Sequence, residues 1–373
     1  MDWSNWNARP ARIGDDNRRV ERSCFRRPVG CQNIHYYSVD TFVSKGCCMS
    51  KNSMSRIADL ILAGNDAIYS EKLDADGKYQ NVNLTLQQFT DDCIATLSKG
   101  FAGMRESDFP EAFIAWGKCR VGSTALTNLF GMAGLDAYYQ PVKTVLRHVA
   151  YGSFGESWSL SKPDSPVFAK EMAGPYLLAE CLYNPIEILI KSGYPARKLK
   201  LIIVDREPVR SLDSWINKWS GKLDIERLAL NYSAAALNAV RVESYANRNG
   251  VDILYYVYEA SKQPDVAIPA LFQALGIGHR FTEDVIDNWG ARGALNSEHA
   301  KVRFPVEPPP FVVPGLHGTE ERYAYKERNL LRASADLAAL IPQAVTDVYE
   351  RHLLLCCDKL GLDEQNVRVG EPA

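Results

Sequence analysis

The residues best suited to chemistry lie close together: Lys118 and Arg120, bracketed by Gly117 and Gly122, and then Ser123 and Thr124. Two cations between glycines, followed by two hydroxyls, suit an anion held by main-chain amides, because glycine lets the backbone approach a ligand closely. Upstream, Phe113-Ile114-Ala115-Trp116 is an apolar run that predicts a strand. Downstream, Leu126, Leu129, Phe130 and Ala133 recur at helical spacing. Strand, glycine turn and helix N-terminus together aim free N–H groups and the positive end of a helix dipole at one point. The bland alternative is an ordinary strand-to-helix turn.

A second cation sits in a similar setting. Leu199-Lys200-Leu201-Ile202-Ile203-Val204 reads as a central parallel strand covered on both faces. It leads through Asp205-Arg206-Glu207-Pro208 into a helical stretch, and Pro208 suits a first helical position. Arg206 leaves the strand end and Ser214 follows about two helical turns on, so both can face one pocket. A guanidinium fork with a hydroxyl suits a phosphate dianion better than a point charge does. A third segment, Val251 to Glu259, predicts a strand closing in Tyr258-Glu259, with a helix from Ile268 to Gly276 beyond Pro264.

The spacing Gly117-x-x-x-x-Gly122 is that of the nucleoside-triphosphate loop, but Ser123 stands where its lysine would reach the phosphates. Taken together, the three segments resemble the sulfotransferases that use 3′-phosphoadenosine 5′-phosphosulfate (PAPS), over less than half of the chain. The resemblance implies a P-loop-like, three-layer α/β architecture with a central parallel sheet. In it Arg120, the main-chain amides of Val121, Gly122, Ser123, Thr124 and Ala125, and more weakly Lys118, hold the 5′-phosphate. Arg206 and Ser214 hold the 3′-phosphate, and Tyr258 approaches the adenine. Ala260 departs from the family pattern, which usually has an acid there. The implied chemistry is sulfuryl transfer from PAPS to a hydroxyl or amine, with no metal, since cationic side chains neutralise the charge.

Such a transfer needs a base for the acceptor proton. Family members place a His two residues after a strand-end Lys; here the segment reads Lys170-Glu171-Met172. Others use a Glu-Pro pair after the first helix, and here that pair is Gln140-Pro141. The local candidates are therefore His148, favoured because it titrates near neutrality, and Glu171, with Lys170 set to stabilise the sulfuryl oxygens. His299 and His317 are outsiders in a proline-rich stretch. Two other readings stay open: a nucleotide-dependent kinase, and a non-catalytic nucleotide-binding protein that lost its base.

The elements that must position these groups follow from periodicity. From Glu111 to Gly278 strands and helices alternate, as in a parallel α/β sheet, with Val167-Phe168-Ala169 a further short strand and a helix over 224–247. The chain of 373 residues accommodates one such domain of about 250 residues with additions. These additions are a basic arm over 1–50, a helical extension over 51–109 with helices at 54–69 and 84–97, a proline-rich region over 279–325, and a C-terminal helical segment over 326–373 that Pro342 interrupts. A formal net charge of −2 argues against nucleic-acid or anionic-membrane partners. No apolar run is long enough for a membrane span, and no signal core opens the sequence. The nine cysteines show no metal or disulfide spacing. A cytoplasmic protein acting on a small-molecule acceptor is the expectation.

Overall fold

The computed structural model describes residues 56, 58–61, 66–70, 84–153, 158, 160, 165–291, 302–311 and 321–370. The basic arm, His299 and His317 lie outside the described residues. Six strands form one all-parallel sheet: β1 (Ala112–Lys118), β2 (Asp136–Tyr139), β3 (Val167–Ala173), β4 (Leu199–Asp205), β5 (Asp252–Val257) and β6 (Val302–Arg303). Their spatial order is β5-β4-β1-β3-β2-β6. The expected α/β class with a central parallel sheet is thus what the chain adopts.

Every residue of β1 and of β3 is buried, which is why β1 opens on a continuous apolar run, whereas β3 buries Lys170 and Glu171 as well. From β1 the chain first builds β2 and β3 on one side, then crosses to lay β4 and β5 on the other. That makes β1 the topological switch, and ligands of open parallel sheets bind outside the carboxyl ends of strands at such a point. Gly117, near the end of β1, is required by packing. A Cβ there would lie 1.9 Å from the Val204 carbonyl oxygen, so only glycine lets β4 close against β1.

The longer helices are α1 (Leu86–Phe101), α2 (Ser123–Met132), α3 (Pro141–Tyr151), α4 (Pro185–Lys191), α5 (Pro208–Trp219), α6 (Ile225–Arg248), α7 (Pro264–Ala274) and α8 (Gln343–Leu360). Their starts follow local chemistry. Thr85 and Gln88 form a reciprocal capping box on α1, and the Asp224 carboxylate accepts from the Arg227 amide at 2.6 Å to cap α6. Proline occupies the first turn of α3, α4, α5 and α7, where its missing N–H costs nothing. α1 packs against α3 and α4 as a helical layer. Aromatic contacts fill the core, with Phe130 stacked on Phe168 at 4.2 Å and Trp215 edge-on to Tyr232 at 5.3 Å.

Several expectations are corrected. The helix expected over 54–69 is helical at 58–61 but a 3₁₀ turn over Asp66–Ser70. β3 runs on through Ala173 rather than stopping at Ala169, because Lys170 and Glu171 are both buried within it. In the C-terminal helical segment the interruption at Pro342 is as expected: a short helix, Ser334–Ala338, precedes it, α8 begins directly after it, and a further short helix, Glu364–Val367, follows. β2 and the edge strand β6 have no strong sequence signal, being only four and two residues long.

Candidate anion-binding site at the switch point

The segment between β1 and α2 turns on two residues with positive φ, Arg120 at 69° and Gly122 at 76°. A non-glycine residue in that region costs of order 1–3 kcal/mol and is characteristic of functional loops. Among the described hydrogen bonds, none is donated by the main-chain N–H groups of residues 120–124. The Ala125 amide, expected to join them, instead closes the first turn of α2 on the Gly122 carbonyl at 3.0 Å. Gly122 cannot carry a side chain: a Cβ would meet the Tyr258 ring at 2.4 Å.

The three expected segments converge on this loop. Arg120 Nε donates to Ser214 Oγ at 2.9 Å, and Arg206 Nη1 donates to the Arg120 carbonyl at 3.2 Å. The Arg206 guanidinium also stands 4.9 Å from the centre of the Tyr258 ring, so that ring lies between Gly122 and Arg206. The Tyr258 hydroxyl accepts from the Lys326 amide at 3.1 Å, which brings the segment after the proline-rich region to the loop. Burial, then the neighbouring Arg206 and Arg328 charges, hold the Arg120 guanidinium below its usual pKa. Arg328 is a cation that sequence reasoning missed, since its surroundings, Lys326-Glu327-Arg328, read as a mixed solvated run. Two polar atoms here are buried without partners, Arg206 Nε and the Tyr325 hydroxyl. Clustered guanidinium charge, idle amides and orphaned donors are what an anionic ligand would satisfy.

Lys118 does not join them. It is buried beneath the loop, ion-paired with Asp205 and donating to the Arg206 carbonyl at 3.2 Å. Asp205 in turn accepts from the Arg206 amide at 2.7 Å and pairs with His352 Nδ1 at 2.7 Å, while His352 Nε2 meets Glu243 at 2.8 Å. Arg351 completes the chain on Glu243 at 2.6 Å. Burial alone would raise both carboxyls, but Lys118 and His352 hold Asp205 well below the usual range, and His352 with Arg351 brings Glu243 to about 2. Burial opposes charge on His352, and its two carboxylate partners overcome this and raise its pKa.

The proposed bases fare differently. Glu171 is fully buried and accepts from the Val142 and Lys143 amides at 2.7 and 3.0 Å and from the Tyr183 hydroxyl at 2.9 Å. It is the anchor of the α3 N-terminus, although burial lifts its pKa to about 7. His148 has both ring nitrogens engaged, with Nδ1 2.8 Å from Ser153 Oγ and Nε2 2.9 Å from the Val306 carbonyl. A carbonyl only accepts, so Nε2 carries the proton and Nδ1 takes the serine hydroxyl. His148 therefore fastens α3 to the 302–311 segment instead of offering a free lone pair. Lys170 lies on the opposite face of β3 from its neighbour Glu171. Its Nζ stands 3.9 Å from the centre of the Tyr139 ring, and burial pushes its pKa down to about 7.

Among the described residues no group of three or more His, Cys, Asp or Glu could hold a metal ion, and no helix is long and apolar enough to cross a membrane. The chain matches no family model, no curated protein and no solved structure.

Proposed function

We propose that this is a PAPS-dependent sulfotransferase of P-loop-like architecture, moving a sulfuryl group to a hydroxyl or amine of a small-molecule acceptor. One observation carries the reading. The main-chain amides of residues 120–124 donate no hydrogen bond at a helix N-terminus where Arg120, Arg206 and Ser214 meet. The orphaned Arg206 Nε, on a guanidinium bonded to the Arg120 carbonyl, supports a phosphate-like group bound between the two segments.

In this reading the amides of Val121, Gly122, Ser123 and Thr124, with Arg120, hold the 5′-phosphate. Arg206 and Ser214 hold the 3′-phosphate, and the Tyr258–Arg206 stack borders the base. When bound, PAPS supplies an activated sulfuryl group. The chain supplies position and positive charge in a low-dielectric cleft, where charge stabilisation is strongest. A kinase reading is less well supported, because Ser123 replaces the lysine that would reach the terminal phosphates.

The test compares thermal stabilisation by adenosine 3′,5′-bisphosphate and by ATP, followed by transfer of labelled sulfate from PAPS to a panel of acceptors. The reading expects a shift with the bisphosphate and label in an acceptor. Stabilisation by ATP alone would replace it with the kinase, and nucleotide binding without transfer would leave a binding protein.

A further inference from the structure

Among the described residues, Lys118, Lys143, Arg147, Lys170, Arg210 and Arg241 are the buried cations outside histidine. Five of them face carboxylates: Lys118 on Asp205, Lys143 on Glu180 at 3.9 Å, Arg147 on Glu180 at 2.6 Å, Arg210 on Glu327 at 3.3 Å and Arg241 on Glu187 at 3.7 Å. Among the described residues the Lys170 side chain has neither an ion pair nor a hydrogen bond, and its Nζ rests over the Tyr139 ring at 3.9 Å. An isolated ammonium is costly to bury, so burial shifts such a nitrogen toward the neutral amine, which carries a free lone pair.

Its place in the fold puts that lone pair beside the anion loop. β3 neighbours β1, with Lys170 opposite Ala115, and β2 brings Tyr139 opposite Lys170 on the other flank. The charged and titratable groups whose fields reach it are Cys119 and Arg120 from the loop, Arg147 from α3 and, from the opposite face of β3, Glu171, while the Tyr139 ring of β2 lies against it. After burial, which leads, Arg147 and Arg120 push its pKa down while Cys119 and Glu171 act in the opposite sense.

We infer that Lys170 is the catalytic base, taking the acceptor proton rather than holding the sulfuryl oxygens as a fixed cation. This rests on the sulfotransferase reading above. As the acceptor oxygen or nitrogen forms its bond to sulfur, the bond between sulfur and the 5′-phosphate oxygen breaks and its electron pair leaves with the phosphate. The acceptor proton passes to Lys170 Nζ, which becomes an ammonium and then releases the proton to water. Glu171 and His148, the carboxylate and imidazole nearby, are already bound to the fold.

Two variants separate the roles. Lys170→Arg keeps a permanent cation that cannot accept a proton, and Lys170→Met keeps most of the volume without charge. Both are expected to bind adenosine 3′,5′-bisphosphate as the parent does, by calorimetry, and to lose kcat by roughly a hundredfold or more. The parent's kcat is expected to rise with pH through a limb near 7, as a base that must be neutral requires, and small primary amines in solution to restore turnover to Lys170→Met. Lys170→Arg with near-parental kcat would overturn the inference and leave an electrostatic role. So would bisphosphate-competent variants with parental turnover. A parent that neither binds the bisphosphate nor transfers sulfate would bring down the sulfotransferase reading itself, and this inference with it.

Discussion

Arg120 and Ser214 lie 94 positions apart in the chain, yet Nε and Oγ meet at 2.9 Å. The loop after β1 and the helix after β4 are therefore one constellation, not two separate anchors. Groups expected at opposite ends of a bisphosphate share a hydrogen bond across the crevice.

The two ends are expected to weigh differently in binding. Arg206→Ala removes a charged donor, worth about 1.5–3 kcal/mol, and Ser214→Ala a neutral one worth about 1 kcal/mol. Titration with adenosine 3′,5′-bisphosphate should show the larger loss for Arg206→Ala. Unchanged affinity in that variant would mean that Arg206 serves only to brace the Arg120 carbonyl.

Gly122→Ala is expected to damage both stability and binding. Its φ of 76° costs an L-residue about 1–2 kcal/mol, and the methyl group drives into the Tyr258 ring. In a Tyr258→Ala background the collision disappears while the backbone cost remains, so the stability loss should shrink to about 1–2 kcal/mol. Denaturant midpoints of the four proteins in this cycle measure it. A loss of equal size in both backgrounds would show that the ring contact carries none of it.

Glu171→Gln is expected to lower stability by about 1–3 kcal/mol, because an amide cannot accept from all three donors that the carboxylate holds. Bisphosphate affinity should be unaffected. A variant as stable as the parent but without turnover would return this carboxyl to the chemistry.

The buried His352 makes stability depend on pH in a particular sense. Its pKa is raised in the folded protein. Its contribution is thus complete below the ordinary histidine value of about 6.5 and disappears as pH rises through the folded value. Asp205 and Glu243 behave oppositely: their pKa values are lowered, so their contributions hold above the ordinary carboxyl range and vanish on acidification, for Glu243 through about 2. The stability difference between parent and His352→Gln should be greatest near pH 5–6 and narrow above it. Thermal melts across pH check this, and a constant difference would place His352 outside the charge network.

How much of this was visible in the sequence depended on whether a residue's role is local. β1 and β4 announce themselves because a strand buried on both faces must be continuously apolar. Gly122, Arg120, Arg206, Ser214 and Tyr258 stand out in the sequence through the resemblance, and the strand ends that carry them share one edge of the parallel sheet. Lys118 was misread because its partner, Asp205, is 87 positions away and nothing local shows the pairing. Lys170 and Glu171 are adjacent letters with opposite fates, separated by the alternation of β3 and by the amides of α3 that claim only the carboxylate. Arg328 stayed hidden because its importance comes from the Lys326 amide's bond to Tyr258, a contact made across 68 positions.

The charge chain under the loop also gives the final long helix a place in time. His352 emerges 147 residues after Asp205, the carboxylate it balances. At about 5–20 residues per second, the growing chain waits on the order of 10 s with that carboxylate incompletely neutralised. During this interval Lys118 is, among the described residues, its only other long-range ion-pair partner. The charge network under the loop is complete only once α8 has been synthesised. The support beneath the loop is therefore built from both ends of the sheet-forming sequence, and its last member comes from the final long helix.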